Sequence, residues 1–171
     1  HDRIKPYIHK TPILTSHLID EMLDADIYFK CENFQKMGAF KMRGATNALL
    51  SLSEEQREKG VVTHSSGNFA QAIALAAKQL AIRTYIVMTE NAPQSKKNAV
   101  KTYNGNIIEC ESTAIAREQL AEKIRIENNA TFIHPSNDLD VIYGQGTAAI
   151  ELLEEDLLAD TQTETLQSVH H

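Results

Sequence analysis

The chain has 171 residues, a formal net charge of −6, and 42% apolar against 23% charged residues. That length allows one domain or two small ones, and the balance is that of an ordinary globular chain. The acidic charge leaves no basic footprint for nucleic acid, and no apolar run approaches the roughly 20 residues that span a bilayer.

Residues 1–20 are mixed, and Thr11-Pro12 breaks any early helix. The N-terminus has no apolar signal core. Cys31 and Cys110 lie far apart and match no metal spacing, so two reduced thiols and a cytoplasmic location are expected. "DIYFKCENF" (26–34) alternates enough to predict a strand, and "RGATNALLSLSEEQREKG" (43–60) predicts one helix closed by Gly60. A rhythm then begins. "GVVTHS" is a short apolar strand and "NFAQAIALAAKQLA" (68–81) an alanine-rich helix. "RTYIVM" (83–88) is a strand, and "PQSKKNAVKTY" (93–103) a helix with Pro93 in its first turn and Gly105 just past its end. "NIIECE" (106–111) is a strand, "TAIAREQLAEKIRIEN" (113–128) a helix and "ATFIHP" (130–135) a strand. "GQGTAAIELLEEDLL" (144–158) opens on glycines and predicts a last helix, followed by a polar tail. Strands alternating with helices of this length imply right-handed crossovers. The expectation is an α/β fold: a three-layer αβα unit over about 60–137 with about four parallel strands. Residues 1–59 and 138–158 belong to something larger, and 159–171 form a tail.

Two stretches carry chemistry. In "MGAFKMRGA" (37–45), Lys41 sits among apolar residues between two glycines. Such a lysine either snorkels to solvent or is buried. Burial lowers its pKa and frees an amine for attack on a carbonyl, and Lys36 and Arg43 nearby are expected to push the same way. In "THSSGNFAQ", Gly67 permits a tight turn at the end of a strand, and Ser65, Ser66 and Asn68 precede a helix whose N–H groups suit a carboxylate. A plain helix cap would read the same way.

Taken together, "FQKMGAFKMRGATNAL", "VVTHSSGNFAQAIALAAK", "APQSKKNAVKTYNGNIIECE", "FIHPSND" and "GQGTAAIELLEE" resemble the serine racemase and threonine dehydratase family of fold-type II pyridoxal-phosphate enzymes, over about residues 5–155 in one continuous order. The resemblance implies that Lys41 forms the Schiff base with pyridoxal phosphate, that Asn68 bonds the cofactor ring hydroxyl and that Phe40 packs beside the ring. It implies that Ser65, Ser66, Gly67 and Asn68 hold the substrate carboxylate, with Ser66 facing the substrate Cα opposite the lysine. Ser16, Lys36 and Met37, with Thr15, match the neighbourhood where some members bind ATP as an effector. Residues 60–137 would be the small domain, and the flanks the start of the large cofactor domain. The implied function is a serine or threonine dehydratase (an ammonia-lyase) or a serine racemase. Its partners would be a small hydroxy amino acid (serine, threonine or hydroxyaspartate) and a second copy of the chain, with neither nucleic acid nor membrane.

Two departures stand out. Phe69-Ala70 replaces the commoner histidine-glycine, and no glycine follows Gly146, where the family has a glycine-rich loop for the cofactor phosphate. The chain therefore looks like an N-terminal portion, with any Mg2+ site outside it, and is expected to be inactive alone. The rival reading is a non-catalytic α/β ligand-binding or regulatory fragment, which would not colour with pyridoxal phosphate. A dinucleotide enzyme is excluded, because no GxGxxG follows a strand.

Overall fold

The computed structural model describes the backbone of residues 1–167 and the side chains of residues 1–155; the tail expected at 159–171 lies outside the residues described in full. Two residues of β1 (Ile13–Leu14) precede α1 (His17–Leu23) and β2 (Phe29–Lys30). Then come α2 (Lys41–Leu50), α3 (Glu54–Lys59), β3 (Val61–His64), α4 (Asn68–Leu80) and β4 (Thr84–Thr89). The remainder is α5 (Gln94–Thr102), β5 (Asn106–Cys110), α6 (Ala114–Asn128), β6 (Thr131–Phe132) and α7 (Leu139–Gln167).

The four strands β3 to β6 form one parallel sheet in the order β5-β4-β3-β6. Alternation along the strands sends Val61, Ile86 and Met88 to one face, where they pack with Ala70, Ile73 and Ala77 of α4 and Val100 of α5. Val62, Tyr85 and Val87 face the other way, onto Ala121 and Ile124 of α6. The three αβα layers follow from that period of two. Helix α4 is buried over most of its circumference, because it lies between the sheet and α2. Its alanines let both neighbours approach closely. Met42, Ala45 and Leu49 of α2 belong to the same core as the sheet.

Several boundaries differ from the sequence reading: the strand expected over 130–135 is only Thr131–Phe132, and the chain turns at Pro135. The strand expected over 26–34 is only Phe29–Lys30, paired antiparallel with Ile13–Leu14. Cys31 N–H still reaches the Pro12 carbonyl (2.9 Å), but proline has no N–H to return and the ladder stops. The single helix expected over 43–60 is two. Ser53 builds a capping box with Gln56, each side chain bonding the other's backbone N–H, and this restarts the chain as α3. The last helix begins at Leu139, not at the glycines: the Asp138 carboxylate accepts from Val141 N–H (3.1 Å). Gly144 and Gly146 therefore lie inside α7. A Cβ on Gly144 would sit 2.6 Å from the Arg43 carbonyl oxygen and from Gly44 Cα, so Gly144 serves the crossing of α7 over α2.

Candidate active site at the carboxyl end of the sheet

Strands β3, β4 and β6 all end on the same edge, where open parallel sheets bind ligands. Lys41 opens α2, and its side chain crosses to that edge. Its Nζ donates to the Pro135 carbonyl, just past β6, at 3.0 Å. The same nitrogen lies 5.2 Å from the centre of the Phe40 ring and 6.0 Å from that of Phe69, in the first turn of α4. Burial holds the amine below its ordinary value of 10.5. The cationic neighbours expected to help do not. Lys36 Nζ donates to the Tyr7 carbonyl (2.6 Å), and Arg43 turns away into the interior.

Arg43 is fully buried and grips two carboxylates bidentately. Its Nε and Nη2 donate to Glu32 (2.9 and 2.8 Å), and its Nη1 and Nη2 to Glu151 (2.7 and 2.8 Å). Lys30 Nζ adds a second cation on Glu151 at 2.9 Å. Two positive and two negative groups thus join β2, the turn after it, α2 and α7. Burial pushes the Glu151 carboxyl up, but hydrogen bonds from Arg43 and Lys30 outweigh it and hold the group below its ordinary 4.5.

The turn from β3 into α4 carries the other candidates. Ser65 N–H extends the β3–β4 ladder onto the Val87 carbonyl (3.0 Å). Ser66 Oγ accepts from Thr89 N–H (3.1 Å) and shares a hydrogen bond with Thr89 Oγ1 (3.1 Å), so the end of β4 fixes the hydroxyl. Gly67 is the N-cap of α4 and has no side chain to cap it. A Cβ there would meet nothing within 4 Å, so no packing demands glycine at this position. The first turn of α4 keeps its positive end open on that space. Asn68 Oδ1 accepts from Lys96 Nζ at 2.8 Å.

The structure thus brings Phe40 and Lys41 to the edge occupied by Ser65, Ser66, Gly67 and Asn68. Lys36 and Met37 lie in a 3-10 turn just before α2, with Met37 at a left-handed φ of 55°. Ser16 is the N-cap of α1, and among the described residues no hydrogen bond joins it to Lys36 or Met37. Sequence reasoning assigned no role to Pro135, Thr89 or Phe69. "FIHPSND" marks the first as part of a motif, but a backbone carbonyl leaves no trace in residue type. Cys31 and Cys110 are free thiols. Among the described residues no helix is long and apolar enough to cross a membrane, and no cluster of metal-ligating side chains is found.

The geometry fits pyridoxal phosphate on its reactive side: an amine kept below its ordinary pKa, aromatic rings beside it, open space over Gly67 and free helix N–H groups. A family model described as "Pyridoxal-phosphate dependent enzyme" matches residues 4–163. The serine racemase of Dictyostelium discoideum is 49% identical over 155 residues, covering 91% of this chain and 48% of the relative. The beta-hydroxyaspartate dehydratase of Paracoccus denitrificans is 50% identical, covering 91% and 49%. The structure of maize serine racemase superposes with a TM-score of 0.88 at 50% identity, covering 90% of this chain and 47% of that one. The chain spans about half the length of these relatives, and it belongs to the fold-type II pyridoxal-phosphate dependent enzymes, in their serine racemase and threonine dehydratase family.

Proposed function

We propose that this chain is part of an enzyme that dehydrates or racemises small hydroxy amino acids, with serine, threonine and hydroxyaspartate as the substrate class. The observation that carries the reading is the Lys41 amine, lowered by burial and held against the Pro135 carbonyl and two aromatic rings at the ligand-binding edge. Pyridoxal phosphate supplies, when bound, an electron sink for charge developing at Cα. Lys41 is the residue that would hold it covalently, with Phe40 beside the ring and Asn68 on its hydroxyl. The open N-terminus of α4, with Ser65, binds the substrate carboxylate. The Lys41 amine takes the Cα proton from one side. Ser66, held by Thr89, faces the other side and returns a proton there when the reaction is a racemisation. Asn68 must first exchange its bond to Lys96 for one to the ring hydroxyl.

In this reading residues 60–137 form the small domain, and 1–59 and 138–158 belong to the large one. A finer part of the proposal places ATP near Ser16, Lys36 and Met37, with Mg2+ held outside this chain. The enzyme would be cytoplasmic and would assemble from copies of itself.

The test is to mix the chain with pyridoxal phosphate, reduce with borohydride and map the added mass by peptide. Lys41 should be modified well before exposed lysines such as Lys101. Uniform modification of all lysines overturns the reading. A Lys41→Arg chain should show no preferred site, since a guanidinium stays protonated and does not attack a carbonyl.

A further inference from the structure

The carbonyl that receives Lys41 does not sit there by accident of a loop. It belongs to Pro135, in the turn Pro135–Asn137 that links β6 to α7. Besides Lys41 itself, one side chain holds that turn among the described residues. His134 Nδ1 accepts from Ser136 N–H at 3.1 Å and from Asn137 N–H at 2.8 Å. The pattern is the one that Asn, Asp and Ser side chains use to hold a turn two and three residues ahead. Histidine performs it here with a ring, and the ring is itself wedged. It stands edge-on to His64 (centroids 5.3 Å apart, planes at 85°) and to Phe132 (6.1 Å, 75°). His64 is almost fully buried, so the wedge is anchored in the sheet. Pro135 adds its own restraint, because its fixed φ removes the softest rotation between the anchor and the carbonyl.

We propose that His134 is a positioning residue for Lys41: its Nδ1 shapes the turn that presents the Pro135 carbonyl to the amine. The inference rests on the reading of Lys41 as the reactive amine. A backbone carbonyl suits that task. It accepts an N–H from the neutral amine and leaves the nitrogen lone pair free for an electrophile. A carboxylate in the same place would hold the ammonium form instead. Two N–H donors converging on Nδ1 require a lone pair there, so the ring proton of neutral His134 is on Nε2.

The experiment has two arms, both on the full chain. Long-range 1H–15N spectra of the imidazole rings report the tautomer directly. In its neutral form the His134 ring should show a proton on Nε2 and a bare Nδ1; a neutral ring with its proton on Nδ1 overturns the proposal without any variant. In the second arm, competitive acetylation of lysines, read by mass spectrometry across pH, follows the Lys41 amine. His134→Asn keeps an acceptor close to the Nδ1 position and should retain the Lys41 profile. His134→Phe keeps the ring and loses the acceptor. Lys41 should then move toward solvent and an ordinary lysine value, with labelling at about pH 8 falling about threefold or more. An unchanged profile in His134→Phe, or an equal change in both variants, overturns the proposal. The borohydride map on unaltered protein reports separately on Lys41 itself, so a failure of that reading is distinguishable from a failure of this one.

Discussion

Ser66 and Arg43 show how differently two polar residues can be used. The Ser66 hydroxyl is fixed from two sides by one residue, Thr89, through its N–H and its Oγ1. Removing the Thr89 hydroxyl by Thr89→Val leaves the N–H contact and takes away the only side-chain partner of Ser66 among the described residues. Under the proposed racemase reading, Ser66→Ala should depress turnover of one serine enantiomer by ~10²-fold or more, the scale of a general acid–base residue, and spare the other. Steady-state rates on D- and L-serine check this, and equal losses on both would assign Ser66 to binding alone. Arg43 is structural. Arg43→Ala strands Glu151 and Glu32 with Lys30 as the remaining cation, and should lower stability by about 3–5 kcal/mol, the scale for breaking a buried ion pair from one side. Guanidinium unfolding midpoints measure it. The sequence spoke for Lys41 through its apolar company. It misplaced Arg43 as a helper of Lys41, because nothing in "KMRGA" says that carboxylates 11 residues before and 108 residues after would converge on it.

At the scale of elements, the crossing of α2 and α7 sets where Lys41 starts and where its acceptor turn ends. Both helices carry a glycine at the contact. A Cβ on Gly44 would meet the Gln145 side chain at 2.6 Å and the Val141 carbonyl at 2.7 Å, and one on Gly144 would meet only backbone. Backbone does not rotate away, so Gly144→Ala should cost about 1–3 kcal/mol as an overpacked contact. It should also disturb the Lys41–Pro135 contact, since α2 and α7 must move apart. Thermal melts and the acetylation profile of Lys41 check both effects; an unchanged melt would show that the crossing yields easily. Ser53→Ala removes half of a capping box and should cost about 1 kcal/mol. It lies far from the edge and serves as a control that leaves Lys41 untouched.

At the scale of the whole molecule, acid stability follows from the Arg43 cluster. The folded state holds Glu151 below the unfolded carboxyl value of 4.5, so it binds fewer protons there than the unfolded chain. Its contribution is complete above 4.5 and is lost as pH falls through the lower folded value. The unfolding midpoint should therefore fall steeply below about pH 4.5, and Glu151→Gln should flatten that limb of the profile. Helix α7 also exposes Leu139, Tyr143, Ile150 and Leu153 in one stripe, and α1 exposes Leu18 and Met22. Apolar surface of this kind drives association. Sedimentation should show self-association that Tyr143→Lys with Ile150→Glu reduces; a monomer at every concentration would refute it.

The sequence by itself determined the αβα layering and the parallel strands, because short apolar runs, buried on both faces, alternating with helix-length segments are patterns of neighbouring residues. It also marked Lys41 and the Ser65–Asn68 turn, because a costly cation and a glycine-bearing cap are local signals. Helix ends read less well where a neighbouring cap decided them, as at Ser53 and Asp138. Tertiary structure alone decided what each group touches: Arg43 leaving Lys41 for two distant carboxylates, Thr89 taking Ser66, and the Pro135 carbonyl receiving the amine. Those partners lie from 11 to 108 residues away in the chain. The pairing of β3 with β4 brings Thr89 to Ser66, and the packing of α2 against α4 and α7 brings the others within 3 Å or so; distances of that kind are set by side-chain volume between elements far apart in the chain, which no local pattern encodes.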